Sequence, residues 1–368
     1  LLNWTKDTGR DQNLQVIYEE GVFSRVGFVR NEAVLKIGYN EEGGVRFAIR
    51  AKRRGRMGIM QREDFKPAYL STYEKGLFPE RIRRAFLLLE KCTVCPRKCS
   101  LDRTRGEKGF CRAGSFPEIS SHGPHFGEER PLVGRHGSGT IFMTYCNLGC
   151  IFCQNYTISR LGEGAEISFD EFSRNMIELQ RRGCHNINFV SPSHFVPHIL
   201  KALPQAIEMG LSVPLVYNTG GYDSLDALKL VEGVFDIYMP DFKYVREDIA
   251  AKYSQAPDYP QAVKAALKEM HRQTGDLVMD NQGIALRGLL VRHLVLPGGL
   301  AGTREAMHYL ATEISRNTYV NIMGQYYPCG DMIPPDSPLA RRITRQEFRE
   351  AVEIAREEGL TRIDSELY

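Results

Sequence analysis

The sequence has no apolar run approaching the ~18 residues that a membrane-spanning helix needs, so no transmembrane segment is expected. It has little net charge. Lys and Arg number 48 against 45 Asp and Glu, and the balance of +3 is too small to argue for a nucleic acid or a membrane as partner. No secretory signal pattern is read in the opening residues, and no internal repeat or low-complexity tract is found. Scattered cysteine is also lacking: seven of the nine fall in two tight groups, within residues 92–111 and 146–153. A disulfide scaffold would be a much shorter secreted chain. Clustering of this kind favours metal ligation in a reducing compartment, so a cytoplasmic location is expected.

At 368 residues the chain is long enough for one large domain with attachments. Its organisation is read as four stretches: 1–56, an N-terminal extension; 57–138, helical and then cysteine-rich; 139–330, an α/β core; and 331–368, a C-terminal helical extension. The first methionine is Met57, and Met57 or Met60 is a candidate start, with residues 1–56 then an upstream stretch. Within that stretch, Val34 to Ile49 alternates around Asn40-Glu-Glu-Gly-Gly44 as a β-hairpin does, with Val45, Phe47 and Ile49 on one face. The basic run Lys52-Arg-Arg-Gly-Arg56 reads better as a solvated linker than as a nucleic-acid patch.

Residues 80–91 have the period of an amphipathic helix. From 139 the pattern alternates. Strands are expected at 139–144, 186–190, 213–217, 234–239, 289–296 and 319–323, with helices at 168–182, 195–209, 223–232, 259–274 and 302–315. Serial β-α units imply a parallel sheet with right-handed crossovers, and six strands suit an open sheet or an incomplete barrel. A last helix, 344–358, opens with Thr344 and Glu347 in the spacing of a capping box.

The first expected strand of the core runs into Cys146-Asn147-Leu148-Gly149-Cys150-Ile151-Phe152-Cys153. Three thiolates so close in sequence can wrap one corner of a compact metal cluster, and a four-iron cubane held this way keeps one iron free of protein ligands. Closed sites are structural or carry electrons; an open position binds a reactant. The place, a loop at the carboxyl end of a strand, is where α/β folds keep their chemistry. The competing readings are zinc, with His185 or Cys184 as fourth ligand, and a plain electron-transfer cluster.

The motif resembles the signature of the radical S-adenosylmethionine (radical SAM) enzymes. Cys92-Thr-Val-Cys95-Pro-Arg-Lys-Cys99, Gly123-Pro-His-Phe-Gly-Glu-Glu129, Tyr238-Met-Pro-Asp-Phe-Lys-Tyr244 and Val291-Arg-His-Leu-Val-Leu-Pro-Gly298 resemble one branch, the uncharacterised relatives of pyruvate formate-lyase activating enzyme. The likeness runs from about residue 65 to the end of the sequence. It implies a partial (β/α)6 radical SAM barrel with an N-terminal cysteine-rich metal-binding segment. It further implies a [4Fe–4S] cluster on Cys146, Cys150 and Cys153, whose fourth iron takes the amino and carboxylate groups of SAM. The electron donor it implies is of the flavodoxin or ferredoxin kind.

Other positions follow from the same resemblance. Phe152 would lie against adenine, although an aromatic here is more often core. Asn218, in Tyr217-Asn-Thr-Gly-Gly221, would lie near the methionine or ribose. Asp241 and Lys243, two apart at a strand end, project to the same side and would serve SAM or a cation. Neighbours on a strand face opposite ways, so only one of Arg292 and His293 faces inward; activating enzymes have an arginine in the similar place, so the resemblance implies Arg292, with His293 a structural histidine or else a proton donor. Ser191 and Ser193 stand where many relatives have Gly-Gly-Glu. They are candidates for the SAM amino group, against a polar turn that caps the next helix. Gln325 with two tyrosines replaces a histidine of activating enzymes, and Cys329 is weighed as a hydrogen donor against an ordinary thiol.

Cys92, Cys95, Cys99 and Cys111 can close a tetrahedral site, for zinc or a second [4Fe–4S] cluster, with Gly106, Gly109 and Gly114 in the turns and Arg97, Lys98 and Arg103 to offset thiolate charge or meet an acidic partner; a structural knuckle with no catalytic part is the alternative. The expected function is reductive cleavage of SAM to a 5′-deoxyadenosyl radical that abstracts a hydrogen atom, from a polypeptide such as a glycyl-radical enzyme. Modification of another protein, a nucleic acid or a metabolite is the alternative within the class. A non-catalytic iron–sulfur or zinc protein is the alternative outside it.

Overall fold

The computed structural model describes residues 33–39, 45–51, 62–330 and 332–366. The chain divides into two compact units, residues 1–57 and 58–368. In the first, β1 (Ala33–Tyr39) pairs antiparallel with β2 (Val45–Ala51), the hairpin that the alternation predicts. The basic run 52–56 lies outside the described residues.

The second unit is built on one open sheet. Its strands in chain order are β3 (Glu118–His125), β4 (Ser138–Met143), β5 (Ala165–Glu166), β6 (Ile187–Val190), β7 (Leu215–Thr219), β8 (Ile237–Pro240), β9 (Val278–Met279), β10 (Ala285–Leu294), β11 (Tyr319–Met323) and β12 (Arg362–Glu366). Their order across the sheet is β12-β11-β10-β8-β7-β6-β4-β3-β5, with β9 paired to β10. Every pairing from β4 through to β12 along this order is parallel. β3, β5 and β9 are antiparallel additions. The result is a partial (β/α)6-type barrel, closed by no hydrogen bond between β5 and β12.

Three differences from the sequence reading stand out. β12 makes the residues after 331 more than a helical extension: it adds a parallel strand beyond β11. β10 begins earlier than expected, at Ala285, where it pairs with β9. A helix at Glu247–Ser254 was not anticipated, although its face of Ile249, Ala250 and Tyr253 is buried. The expected helices at 168–182, 195–209 and 259–274 appear as Phe169–Arg181, Val196–Glu208 and Tyr259–Thr274. Ser168 caps the first, accepting from the Glu171 backbone N–H at 3.1 Å, and Gly183 leaves it at φ +85°. The Thr344–Glu347 capping box is present at the head of Arg345–Glu357.

Strand alternation sorts the core. Tyr217, Tyr238, Leu289, Val291, Val320 and Ile322 turn outward to the helices. Val216, Ile237, Met239 and Leu290 turn inward and plug the lower lumen with Leu132, Leu277 and Ala285. Phe172 of the first helix meets Phe189 of β6 edge to face at 5.9 Å. Burying such a side chain contributes about 1.5–3 kcal/mol. Below the plug, buried Asp236 accepts from the backbone N–H of Ala68 at 2.8 Å and of Leu215 at 3.0 Å, tying the Ala68–Glu74 helix to the barrel floor. No helix among the described residues is long and apolar enough to cross a membrane.

Candidate active site

With the lower lumen filled, the upper lumen is open at the carboxyl ends of the strands. Cys146, Cys150 and Cys153 line one cavity of about 220 Å³ together with Asn218, Asp241, Lys243 and Arg292. These groups are far apart in sequence, and strand register brings them together. Asp241 bridges to Arg292 in parallel register just past β8. Asn218 of β7 is paired with Met239 and, across the other edge, with Val190.

The cysteine loop is held by hydroxyls. Ser254 Oγ donates to Cys150 Sγ at 3.0 Å and Ser159 Oγ to Cys153 Sγ at 3.2 Å. The Leu148 backbone N–H donates to Cys146 Sγ at 3.4 Å. Burial pushes the Cys150 thiol up to about 11, and the Lys243 charge and the Ser254 hydroxyl work against that rise. Among the described residues no three or more His, Cys, Asp or Glu side chains form a finished metal-binding group. The donor set nevertheless fits an iron–sulfur cluster: three cysteines of one loop open onto a cavity with charged walls. His185, weighed as a fourth zinc ligand, is elsewhere. Its ring accepts from the Arg135 backbone N–H at 3.2 Å and stacks toward His136, at the amino end of the strands.

A charge network lines the same cavity, with Lys243 near enough to Cys150 for their charges to interact. Arg292 Nε donates to Asp241 Oδ1 at 2.7 Å and its Nη2 to Asn218 Oδ1 at 2.7 Å. Lys243 Nζ donates to Asp241 Oδ2 at 2.5 Å. Burial opposes ionisation of Asp241, but Arg292 and Lys243 outweigh it and hold the carboxyl below its usual range. His293 turns away, as strand alternation requires, between the Phe242 carbonyl at 2.7 Å and the Thr303 hydroxyl at 3.0 Å. Burial drives its pKa down to about 4, so it is a neutral structural imidazole.

Ser191 and Ser193 part company. Ser191 lines the cavity with its backbone at φ +60°, a conformation rare for a residue with a side chain and concentrated at functional sites. Ser193 is outside the lining, its hydroxyl 3.0 Å from that of Thr219. His194 is buried and its Nε2–H donates to the Thr144 carbonyl at 3.0 Å, which suits the polar-turn reading. Phe152 is 4% exposed, edge to face with Tyr244 and Tyr326, and also lines the cavity. Gln325 is in the lining; Cys329 and Cys184 are not.

Two site residues were missed as such. Glu128 and Glu129, the end of the Gly123–Glu129 motif, enter the lumen from beside β3. Arg292 approaches them only at 3.7 and 3.8 Å, its short bonds being used by Asp241 and Asn218. Asn321 Nδ2 donates to Glu129 Oε1 at 3.1 Å, while Glu129 Oε2 is buried without a partner. Burial, and then the charge of Glu129, push Glu128 up to about 8. The signal was present in the motif, but a Glu-Glu pair in a polar stretch has no periodicity that aims it inward.

Residues 140–281 match the family model of the radical SAM superfamily. The chain thus contains a radical SAM domain, and the three-cysteine loop lies within the matched stretch. It is also 28% identical over 304 residues to an uncharacterized protein of Methanocaldococcus jannaschii, across 79% of this chain and 82% of that one.

Proposed function

We propose that the protein cleaves SAM reductively and uses the resulting radical to take a hydrogen atom from a polypeptide, in the manner of the activating enzymes that its motifs resemble. A cluster at Cys146, Cys150 and Cys153 would supply the electron that breaks the sulfonium bond and the open iron that chelates SAM. The chain's own residues do the rest. Arg292, Asp241, Lys243 and Asn218 form a preorganised polar wall for the methionine end of SAM, and need no reorganisation when it binds. Phe152 and Ser191 would border the nucleoside.

One observation carries this reading: three thiols and a set of paired charges line the same cavity. Neither a closed zinc knuckle nor a plain electron carrier needs that second wall. A glycine in a glycyl-radical enzyme is the substrate that the resemblance favours; it is an argument from family likeness. The test is spectroscopic. SAM added to the anaerobically reconstituted, reduced protein should change the electron paramagnetic resonance (EPR) spectrum of its cluster. A spectrum indifferent to SAM contradicts the reading and points to an electron-transfer protein.

A further inference from the structure

The four-cysteine segment is not an independent appendage: it is bolted to the back of the radical SAM loop. Arg97, in Cys95-Pro-Arg-Lys-Cys99, places its guanidinium on that loop. Nε donates to the Asn147 carbonyl at 2.9 Å and Nη2 to the Leu148 carbonyl at 3.0 Å. Nη2 also donates to the carbonyl of Ser254, the residue whose hydroxyl is on Cys150, at 2.8 Å. The same guanidinium stacks 3.8 Å over the Phe110 ring, beside Cys111. Phe110 in turn fills the space in front of Gly149, where a Cβ would meet the ring at 2.9 Å.

Asn147 joins the two cysteine groups. It lies between Cys146 and Cys150 in sequence, and its Oδ1 is 4.0 Å from Cys146 Sγ. Its side chain also lies near the Cys95 thiol, and its Nδ2 donates to the Tyr222 carbonyl at 2.6 Å. Cys95, Cys92 and Cys111 are buried and close enough for their charges to act on one another, as are Cys111 and Cys99. Cys99 is half-buried, and a Cβ on Gly109 would meet its Sγ at 2.9 Å, so the turn is shaped around that thiol. As they stand the four thiols form no finished metal-binding group, but twenty residues, 92–111, supply the donor set of a four-thiolate centre.

Two features favour a redox centre over zinc. The first is position. Bound SAM would cover the cavity side of the Cys146–Cys153 loop, so an external protein reaches that loop from behind, across residues 92–111. The second is charge. Residues 91–112 hold seven Lys and Arg against two Asp and Glu, more net positive charge than the whole chain carries. Lys91, Lys98, Arg105, Lys108 and Arg112 are exposed there.

We propose that residues 92–111 are the electron-entry site: their four thiolates hold an iron–sulfur cluster, an acidic low-potential one-electron carrier docks on the basic rim, and the electron crosses the Arg97–Asn147 junction to the radical SAM centre. The inference rests on the radical SAM reading. One electron passes per turnover. The carrier is oxidised by one, the entry centre is reduced and reoxidised, and the electron ends in the C5′–S bond of SAM, which breaks into methionine and the 5′-deoxyadenosyl radical. Arg97 and Asn147 are positioning residues, and Lys91 and Lys108 belong to the docking rim.

The experiment uses the full chain, reconstituted without oxygen. Two four-iron centres predict about eight irons and no zinc per chain, and an EPR spectrum of the dithionite-reduced protein broadened by spin coupling between two clusters. About four irons with one zinc, or two uncoupled spectra, overturns the proposal. With an acidic flavodoxin as reductant at low salt, the double variant K91E/K108E should lose about tenfold in SAM cleavage, while the dithionite-driven rate stays at the parent level. Equal loss with both reductants, or no loss, also overturns it. Failure of the radical SAM reading looks different: no cleavage occurs with dithionite, whatever the EPR spectrum without SAM shows.

Discussion

Arg292 and Asp241 meet across β8 and β10 with Nε 2.7 Å from Oδ1, and the second oxygen of Asp241 takes Lys243 at 2.5 Å. Asp241 is buried and Arg292 half-buried, so the pair has little water to fall back on. Removing one partner of such a pair typically costs about 3–5 kcal/mol, because the other is left uncompensated. Arg292→Met should therefore lower the stability of the apo protein by about that amount in urea unfolding. A loss below about 1 kcal/mol would mean that the network is solvated like a surface pair.

Glu128 sets a pH dependence. Its carboxyl is raised from 4.5 to about 8 in the folded protein, so the folded state keeps a proton that the unfolded chain has released over that window. Its stabilising share is thus greatest at low pH and falls as pH rises from about 4.5 to 8, by at most ~1.4 kcal/mol per unit. Glu128→Gln should flatten the decline between pH 5.5 and 8. Some slope should persist, because burial also raises Asp236, to about 7. A variant with the parent's full slope would show that Glu128 titrates normally.

Ser254→Ala tests the sulfur environment. The hydroxyl on Cys150 favours extra negative charge at that sulfur, and hence the reduced cluster. Losing a bond worth about 0.5–1.5 kcal/mol should lower the one-electron potential by about 20–60 mV. An EPR-monitored redox titration measures it, and an upward shift would contradict the role.

Much of this was legible in the sequence. Apolar runs located the six core strands, and the i, i+2 spacing of Asp241 and Lys243 put them on one side. Alternation required that only one of Arg292 and His293 face inward, and the family resemblance picked Arg292. What escaped had physical reasons. β12 reads Arg-Ile-Asp-Ser-Glu, an edge strand with little apolar content, and β3 contains Gly123 and Pro124. Ser193 was paired with Ser191 because both hydroxyls are polar, yet a 3-10 turn at Ser193–Phe195 rotates the second away from the cavity. Arg103 was taken to offset thiolate charge, and its charge does work against the burial of the Cys111 thiol. Its second role escaped: it is 1% exposed, and its guanidinium donates to the carbonyls of Ala113, Gly114 and His194, fastening the cysteine segment to the barrel mouth. Such long-range anchoring leaves no local pattern.

The most direct test of the central claim is the formation of 5′-deoxyadenosine. The protein is reconstituted anaerobically with iron and sulfide, given SAM and dithionite, and the product is measured by mass spectrometry beside Cys150→Ala. The account predicts 5′-deoxyadenosine and methionine from the parent and none above background from the variant. Equal product from both, or none from a parent whose cluster is intact, reduced and supplied with its polypeptide hydrogen donor, would contradict it.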